Sequence, residues 1–209
     1  MAISGRVRDM PVLGEHPALD LVNTVFIRGG LRGRPVDALT TPADLADWIA
    51  EQGESLGPVE LTPGPDLDAL AAFIDLRSAL HHVIASAVAG TSAAPEHVAA
   101  INTTAGAYHD IVELPPAGHG PLVRRTEAPS PSAAVLSRLA RTAVDLLTGP
   151  DLKLLRACPA PGCVLFYLRT HPRRNWCSTG CGNRVRVARH SRGHDESGPG
   201  ARDSAGLPS

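Results

Sequence analysis

Cysteine is missing from most of this chain. Of 209 residues, the four cysteines all fall between Cys158 and Cys181. A disulfide framework spread through the fold is thereby excluded. Aromatic residues make up only 3%. Ala and Leu are plentiful instead, which suits packed helices. Lysine is nearly absent, Lys153 being the single one among 20 basic residues. That bias says nothing about phosphate recognition, because a GC-rich coding sequence produces it too. No stretch approaches the roughly 18 continuous apolar residues of a membrane span. The opening MAISGRVRDM has no apolar segment of signal-peptide kind. The expected location is cytoplasmic, where thiols stay reduced, and no membrane partner is expected. The patterns G-x-G-x-x-G, G-x-x-x-x-G-K and H-E-x-x-H are absent. No enzyme is expected on that ground.

Acidic residues are missing too, but only locally. Residues 152–192 contain nine basic side chains and no Asp or Glu. Residues 1–151 carry 10 basic against 18 acidic side chains, a net of −8. The near-neutral total of −1 therefore hides a basic module on an acidic body.

The basic module holds the cysteines. Cys158 and Cys163 are spaced C-x4-C, thirteen residues follow, and Cys177 and Cys181 are spaced C-x3-C. A redox dithiol needs one close pair, and disulfides need an oxidising compartment. Two short-range pairs separated by a hairpin-sized gap suit a tetrahedral four-thiolate zinc site. The expected cofactor is one structural Zn2+. Four thiolates leave no open position for a substrate water. CPAPGC reads as a turn, VLFYL as a β-prone run, and Ser178 or Thr179 as the cap of a helix running to about Arg192. Knuckle, hairpin and ligand-bearing helix make a treble-clef-like arrangement.

The sequence WCSTGCGNR, ending at Arg184 and preceded by a C-x4-C knuckle and LF, resembles the CGNR zinc finger of bacterial transcription regulators. ALDLVNTVFIRGG (Ala18 to Gly30) and LTTPADLADWIAEQG (Leu39 to Gly53) resemble the ABATE domain that precedes that finger. The resemblance covers about residues 12–192. It implies double-stranded DNA as partner and a helical domain that senses a ligand in stress responses. Leu168 departs from it, standing where an acidic residue often follows the aromatic pair.

Several arginines of the module are candidates for DNA contact: Arg169, Arg173 and Arg174 on the hairpin, and Arg184, Arg186, Arg189 and Arg192 on the helix. Arg186, Arg189 and Arg192 share neighbouring helix positions opposite Val185 and Ala188. An arginine stripe opposite a packed face is a nucleic-acid footprint. Arg184 fits equally as a hydrogen-bond partner of the ligand sulfurs. Four thiolates and Zn2+ form a −2 cluster, leaving about +7 on the module. Phe166, Tyr167 and Trp176 read as a mini-core around the zinc. The sharper alternative, that Tyr167 stacks on a base, is the weaker one, because strand alternation puts 166 and 167 on opposite faces and leaves only one of them free. His171 and His190 read as surface residues.

The body reads as mainly helical. Thr41-Pro42 opens one helix, which Gly53 closes. A long one spans about 66–89, with Leu67, Leu70, Ile74 and His81 near one face. Pro95 and Ser130-Pro131 open two more, the last ending at Gly149-Pro150. A hairpin is expected around PPAGHG. Asn23, Arg28 and Arg77 are the candidates for an effector pocket, with Arg77 set to bind an anion. The fold class is mainly α (α+β). Residues 1–151 form a helical, ABATE-like sensing domain, 152–192 a CGNR-type finger, and 193–209 a disordered tail. The expected function is a zinc-dependent, DNA-binding transcription regulator responding to a small anionic effector. One finger covers too little DNA for specificity, so a homodimer or partner regulator is implied. The alternatives are a ββα-metal-like nuclease and a zinc-stabilised protein–protein interaction module.

Overall fold

Proline or a short polar residue opens each of the longer helices, and the chain between them makes three small antiparallel hairpins. The computed structural model describes residues 5–57, 61–113 and 123–195. The helices are α1 (Gly5–Arg8), α2 (Pro17–Val22), α3 (Pro42–Glu51), α4 (Gly53–Leu56), α5 (Leu67–Ala89), α6 (Pro95–Gly106), α7 (Pro131–Thr148) and α8 (Thr179–Asp195). Strands β1 (Val25–Arg28) and β2 (Arg34–Asp37) pair, as do β3 (Asp110–Glu113) with β4 (Val123–Thr126), and β5 (Leu155–Ala157) with β6 (Phe166–Leu168). The PPAGHG turn between β3 and β4 lies outside the described residues, as does the expected disordered tail beyond residue 195.

Capping explains where the helices begin. Thr41 Oγ1 accepts from the Asp44 amide at 3.2 Å, and Asp44 accepts in return from the Thr41 amide at 3.0 Å. This reciprocal box, with Pro42 in the first turn, fixes α3. Asp66 does the same one-way for α5, and Ser130 for α7. Gly90, at φ +69°, closes α5 in the left-handed region that a residue with Cβ avoids. Gly53 does not close α3 as expected, because the chain turns at Gln52 and continues as α4.

Two expectations for the body are corrected. The face that α5 buries is Leu70, Phe73, Arg77, Leu80 and Ile84, whereas Leu67 is 71% exposed. Leu67 is the first residue of α5, and its side chain faces solvent. The β1–β2 hairpin was not anticipated. Its strands are four residues each, Pro35 sits in one of them, and its turn uses Gly29 at φ +94° and Gly30 at φ +72°.

The buried apolar cluster runs from Leu19, Trp48 and Phe73 through Leu80 and Leu139 to Leu155, Leu165, Phe166, Leu168 and Val185. It is continuous from body to finger, so the finger's apolar residues do not form a separate mini-core. Among the described residues, no helix is long and apolar enough to cross a membrane.

α2 begins on a titratable cap. His16 Nδ1 accepts from the Ala18 amide at 3.2 Å, which requires a neutral ring. Burial lowers the His16 pKa, opposed by Asp151 and Asp145. Burial also lowers that of His81, helped by His82. For a histidine with a depressed folded value, the unfolded chain binds more protons. Stability therefore rises with pH in this window and is lost as pH falls through the unfolded value of about 6.5. The melting temperature is expected to drop between about pH 7.5 and about pH 5.5. His16→Asn supplies a cap that does not titrate, and should flatten that drop. A slope identical in the variant would remove His16 from the explanation.

Candidate metal centre

The knuckle between Cys158 and Cys163 is shaped by a tight turn. The Cys163 amide donates to the Ala160 carbonyl at 3.0 Å, and Gly162 takes φ +70°. The Cys158 amide donates to the Leu165 carbonyl at 2.9 Å, which extends the β5–β6 ladder into the knuckle. After β6 the chain returns through Trp176 and Cys177. Ser178 Oγ then accepts from the Cys181 amide at 3.3 Å, placing Cys181 in the first turn of α8. Free amides at that helix start favour a thiolate.

All four sulfurs lie within 4.8 Å of one another. Cys163 and Cys177 are 3.7 Å apart, and Cys177 and Cys181 are 3.5 Å apart. A disulfide would need about 2.05 Å. A tetrahedron with metal–sulfur bonds of about 2.3 Å has edges of about 3.8 Å. The donor set thus fits one structural zinc ion held by Cys158, Cys163, Cys177 and Cys181. Three of the four cysteines are buried and Cys163 is half-buried. Electrostatics point the same way. Hydrogen bonding with Cys163 and Cys177 draws the Cys158 thiol down to about 2. The bond with Cys158 pushes Cys163 up to about 12, and the bonds with Cys158 and Cys163 push Cys177 up as well. One thiolate can accept from crowded thiols, but four this close repel. A divalent cation lets all of them ionise.

The residues after Cys181 each have a visible task. A Cβ on Gly182 would come within 2.9 Å of Trp176 Cδ1, so only glycine admits the indole. Asn183 Oδ1 accepts from Arg186. Arg184 Nη1 donates to the Pro161 carbonyl at 3.1 Å, and its chain would lie 3.3 Å from a Cβ on Gly30. Arg184 therefore ties helix α8 to the knuckle and to the body's first hairpin.

Arg174 is also committed. Its guanidinium makes a two-pronged bond to Glu15 at 2.6 and 2.5 Å and reaches the Leu168 and Cys177 carbonyls, both at 3.1 Å. It also lies 5.2 Å from the Tyr167 ring centroid. Arg169, Arg173 and Arg186 are exposed, as is Arg156. The side chains of Arg189 and Arg192 lie outside the described residues.

The three residues expected to bind an effector are not brought together. Asn23 faces the finger: its Nδ2 donates to the Phe166 carbonyl at 2.9 Å and its Oδ1 accepts from the Phe166 amide at 3.0 Å. Arg28 is exposed and pairs with Asp9 at 2.5 Å. Arg77 is 9% exposed and makes two 2.7 Å bonds to Asp37, with a third at 2.9 Å to Thr24. Arg77 alone lines a cavity of about 330 Å³, together with Val22, Ile74, His81 and His82. The His81 ring meets the Phe166 ring edge-on at 5.6 Å.

Glu15 and Asn23 are the functional residues that sequence reading missed or misplaced. Together they close the outer edge of β6. The amide and carbonyl of Phe166 bind Asn23, the Leu168 amide donates to Glu15 at 3.0 Å, and the Leu168 carbonyl accepts from Arg174. Asp20, buried beneath, holds the Gly14 and Glu15 amides at 2.8 and 3.1 Å and so sets the Glu15 loop.

A helical body bearing a closed four-thiolate centre on a short hairpin and helix is a zinc-finger protein with an N-terminal helical domain. Residues 15–150 match the ABATE family model, described as "Putative stress-induced transcription regulator", and residues 155–194 match the CGNR zinc finger. The chain belongs to the ABATE family, whose model spans more than half of it. No curated protein matches it.

Proposed function

We propose that this protein is a zinc-dependent, DNA-binding transcription regulator whose helical body responds to a small effector. The observation that carries the reading is charge: nine basic side chains and no carboxylate over residues 152–192, on a family background of transcription regulation. With Arg174 and Arg184 engaged internally, the finger arginines left for phosphate among the described side chains are Arg156, Arg169, Arg173 and Arg186. The protein acts by binding rather than catalysis. Hydrolysis needs a metal with an open position, and four thiolates close this one. The effector's place is the cavity beside Arg77, because His81 stands between it and Phe166 of the finger. Specific DNA affinity requires a second copy or a partner regulator, since a single finger buries only about 600–1,000 Å².

The test is duplex binding against salt. Each phosphate-bound arginine contributes about 0.9 to the slope of log affinity on log salt, so these four together give a slope of about −3.6. Zinc-loaded protein should show a slope of about −2 or steeper and should leave plasmid DNA uncut in Mg2+. Chelation should abolish binding. Affinity that ignores both salt and zinc would overturn the reading and favour a protein–protein module.

A further inference from the structure

Strand alternation splits the β5–β6 hairpin into two faces. Phe166 and Leu168 turn toward the body, with Phe166 on His81. Arg156 and Tyr167, which are cross-strand partners, turn the other way, as does Arg169 two residues on. The returning chain adds Asn175 and Trp176 to this outer face. Together with Pro159, these residues line a cavity of about 410 Å³, within the range of about 300–1,000 Å³ usual for small-ligand sites. No carboxylate lines it.

Its chemistry is specific. Arg156 Nη1 is anchored to the Lys153 and Leu155 carbonyls at 2.8 and 2.7 Å, leaving its other nitrogens as donors. Arg169 is anchored through Nη2 to the Pro172 carbonyl at 2.7 Å, again leaving donors. Two positioned guanidinium groups suit an anion. Tyr167, 3% exposed, forms the floor, and half-buried Trp176 forms a wall. Among the described residues, the exposed Asn175 carboxamide has no partner. An acidic peptide would use the arginines but has no need of two rings. A planar heterocycle carrying phosphate uses the two arginines, the carboxamide and the Trp176 ring, above the buried Tyr167 floor. Aromatic contact with a base is worth about 1–3 kcal/mol, and a carboxamide can pair with the edge of adenine.

We propose that this cavity binds a single nucleotide unit, with the base against Trp176 and offered to Asn175, and its phosphate held by Arg156 and Arg169. This deepens the nucleic-acid reading of the finger and rests on it. Bases stacked in a duplex cannot enter such a recess, so the nucleotide comes either from an unpaired strand or as a free mononucleotide.

Trp176 supplies the readout. The other tryptophan, Trp48, is fully buried with its Nε1 unpartnered, so Trp48→Phe removes it without breaking a hydrogen bond. In this zinc-loaded full-length variant, Trp176 fluorescence is titrated with adenosine monophosphate, a short oligodeoxyadenylate, and its duplex with oligothymidylate. The unmodified protein serves as control. The expected result is quenching by the single strand at an affinity about tenfold above the duplex. Asn175→Ala, or Arg156→Ala with Arg169→Ala, should weaken it by about tenfold or more, with zinc content unchanged. Quenching by the mononucleotide but not the strand supports the cavity and assigns it a free nucleotide. Duplex binding that survives, with no single-strand preference and no effect of Asn175→Ala, overturns the cavity while leaving DNA binding intact. Zinc-loaded protein that binds none of the three probes overturns both.

Discussion

Replacing Cys181 with serine is expected to lower the stability of the whole chain, not of the finger alone. Loss of one thiolate opens the zinc site, and metal binding supplies much of the folding free energy of such modules. The expected mini-core of Phe166, Tyr167 and Trp176 around the zinc would have confined the damage to the finger. The structure gives one continuous cluster, in which Leu155, Leu165, Phe166 and Leu168 are each at most 6% exposed and join the body's apolar residues. Burying one such side chain is worth about 1.5–3 kcal/mol. Part of that is offset by the chain entropy regained when the finger disorders. Even a net loss of about 4 kcal/mol lowers the melting temperature of a chain this size by about 8–16 °C. The helical circular-dichroism signal should persist at low temperature and melt early, with zinc content below about half an equivalent. A variant that has lost its zinc but melts at the parental temperature would show that the body stands without the finger.

Two adjacent arginines should behave in opposite ways. Arg174 is partnered by Glu15, whose side chain is 5% exposed. Arg174→Ala leaves that carboxylate buried without its cation, and breaking a buried pair this way costs about 3–5 kcal/mol. Arg174 itself is 28% exposed, so the lower part of that range is expected. Arg173, one residue earlier, is exposed. Arg173→Ala should leave stability within about 0.5 kcal/mol and flatten the salt slope of duplex binding by about 0.9. Denaturant unfolding and DNA titration on the same two zinc-loaded variants check both halves. The division of labour fails if Arg174→Ala is neutral for stability, or if Arg173→Ala leaves the salt slope alone.

What was legible in the sequence was local. The C-x4-C and C-x3-C spacings placed the metal centre, because each pair comes from a single turn. Ser178, Thr41 and Ser130 placed helix starts, because a cap acts within three residues. The helical class followed from the same signals. What was illegible was long-range. Asn23 and Phe166 are 143 residues apart, and Glu15 and Arg174 are 159 apart. No periodicity announces such pairs, so Asn23 read as a pocket residue and Arg174 as a DNA contact. Arg184 read as either a sulfur partner or a DNA contact, and its partner is the Pro161 carbonyl. The β1–β2 hairpin was hidden for another reason. Four-residue strands interrupted by Pro35 and flanked by glycines carry no alternation long enough to see.

The closed edge of β6 has a consequence for how this protein fails. A strand edge with free amides and carbonyls is a template for pairing with another chain, and the run VLFYL is apolar enough to make that pairing durable. In the folded protein Asn23, Glu15 and Arg174 occupy every outward-facing group of Phe166 and Leu168. A finger released from the body loses Asn23 and Glu15, which bares the Phe166 amide and carbonyl and the Leu168 amide. Zinc-depleted protein is then a self-associating species whose loss accelerates with concentration, and the side chains of the N-terminal segment act as its built-in guard against aggregation.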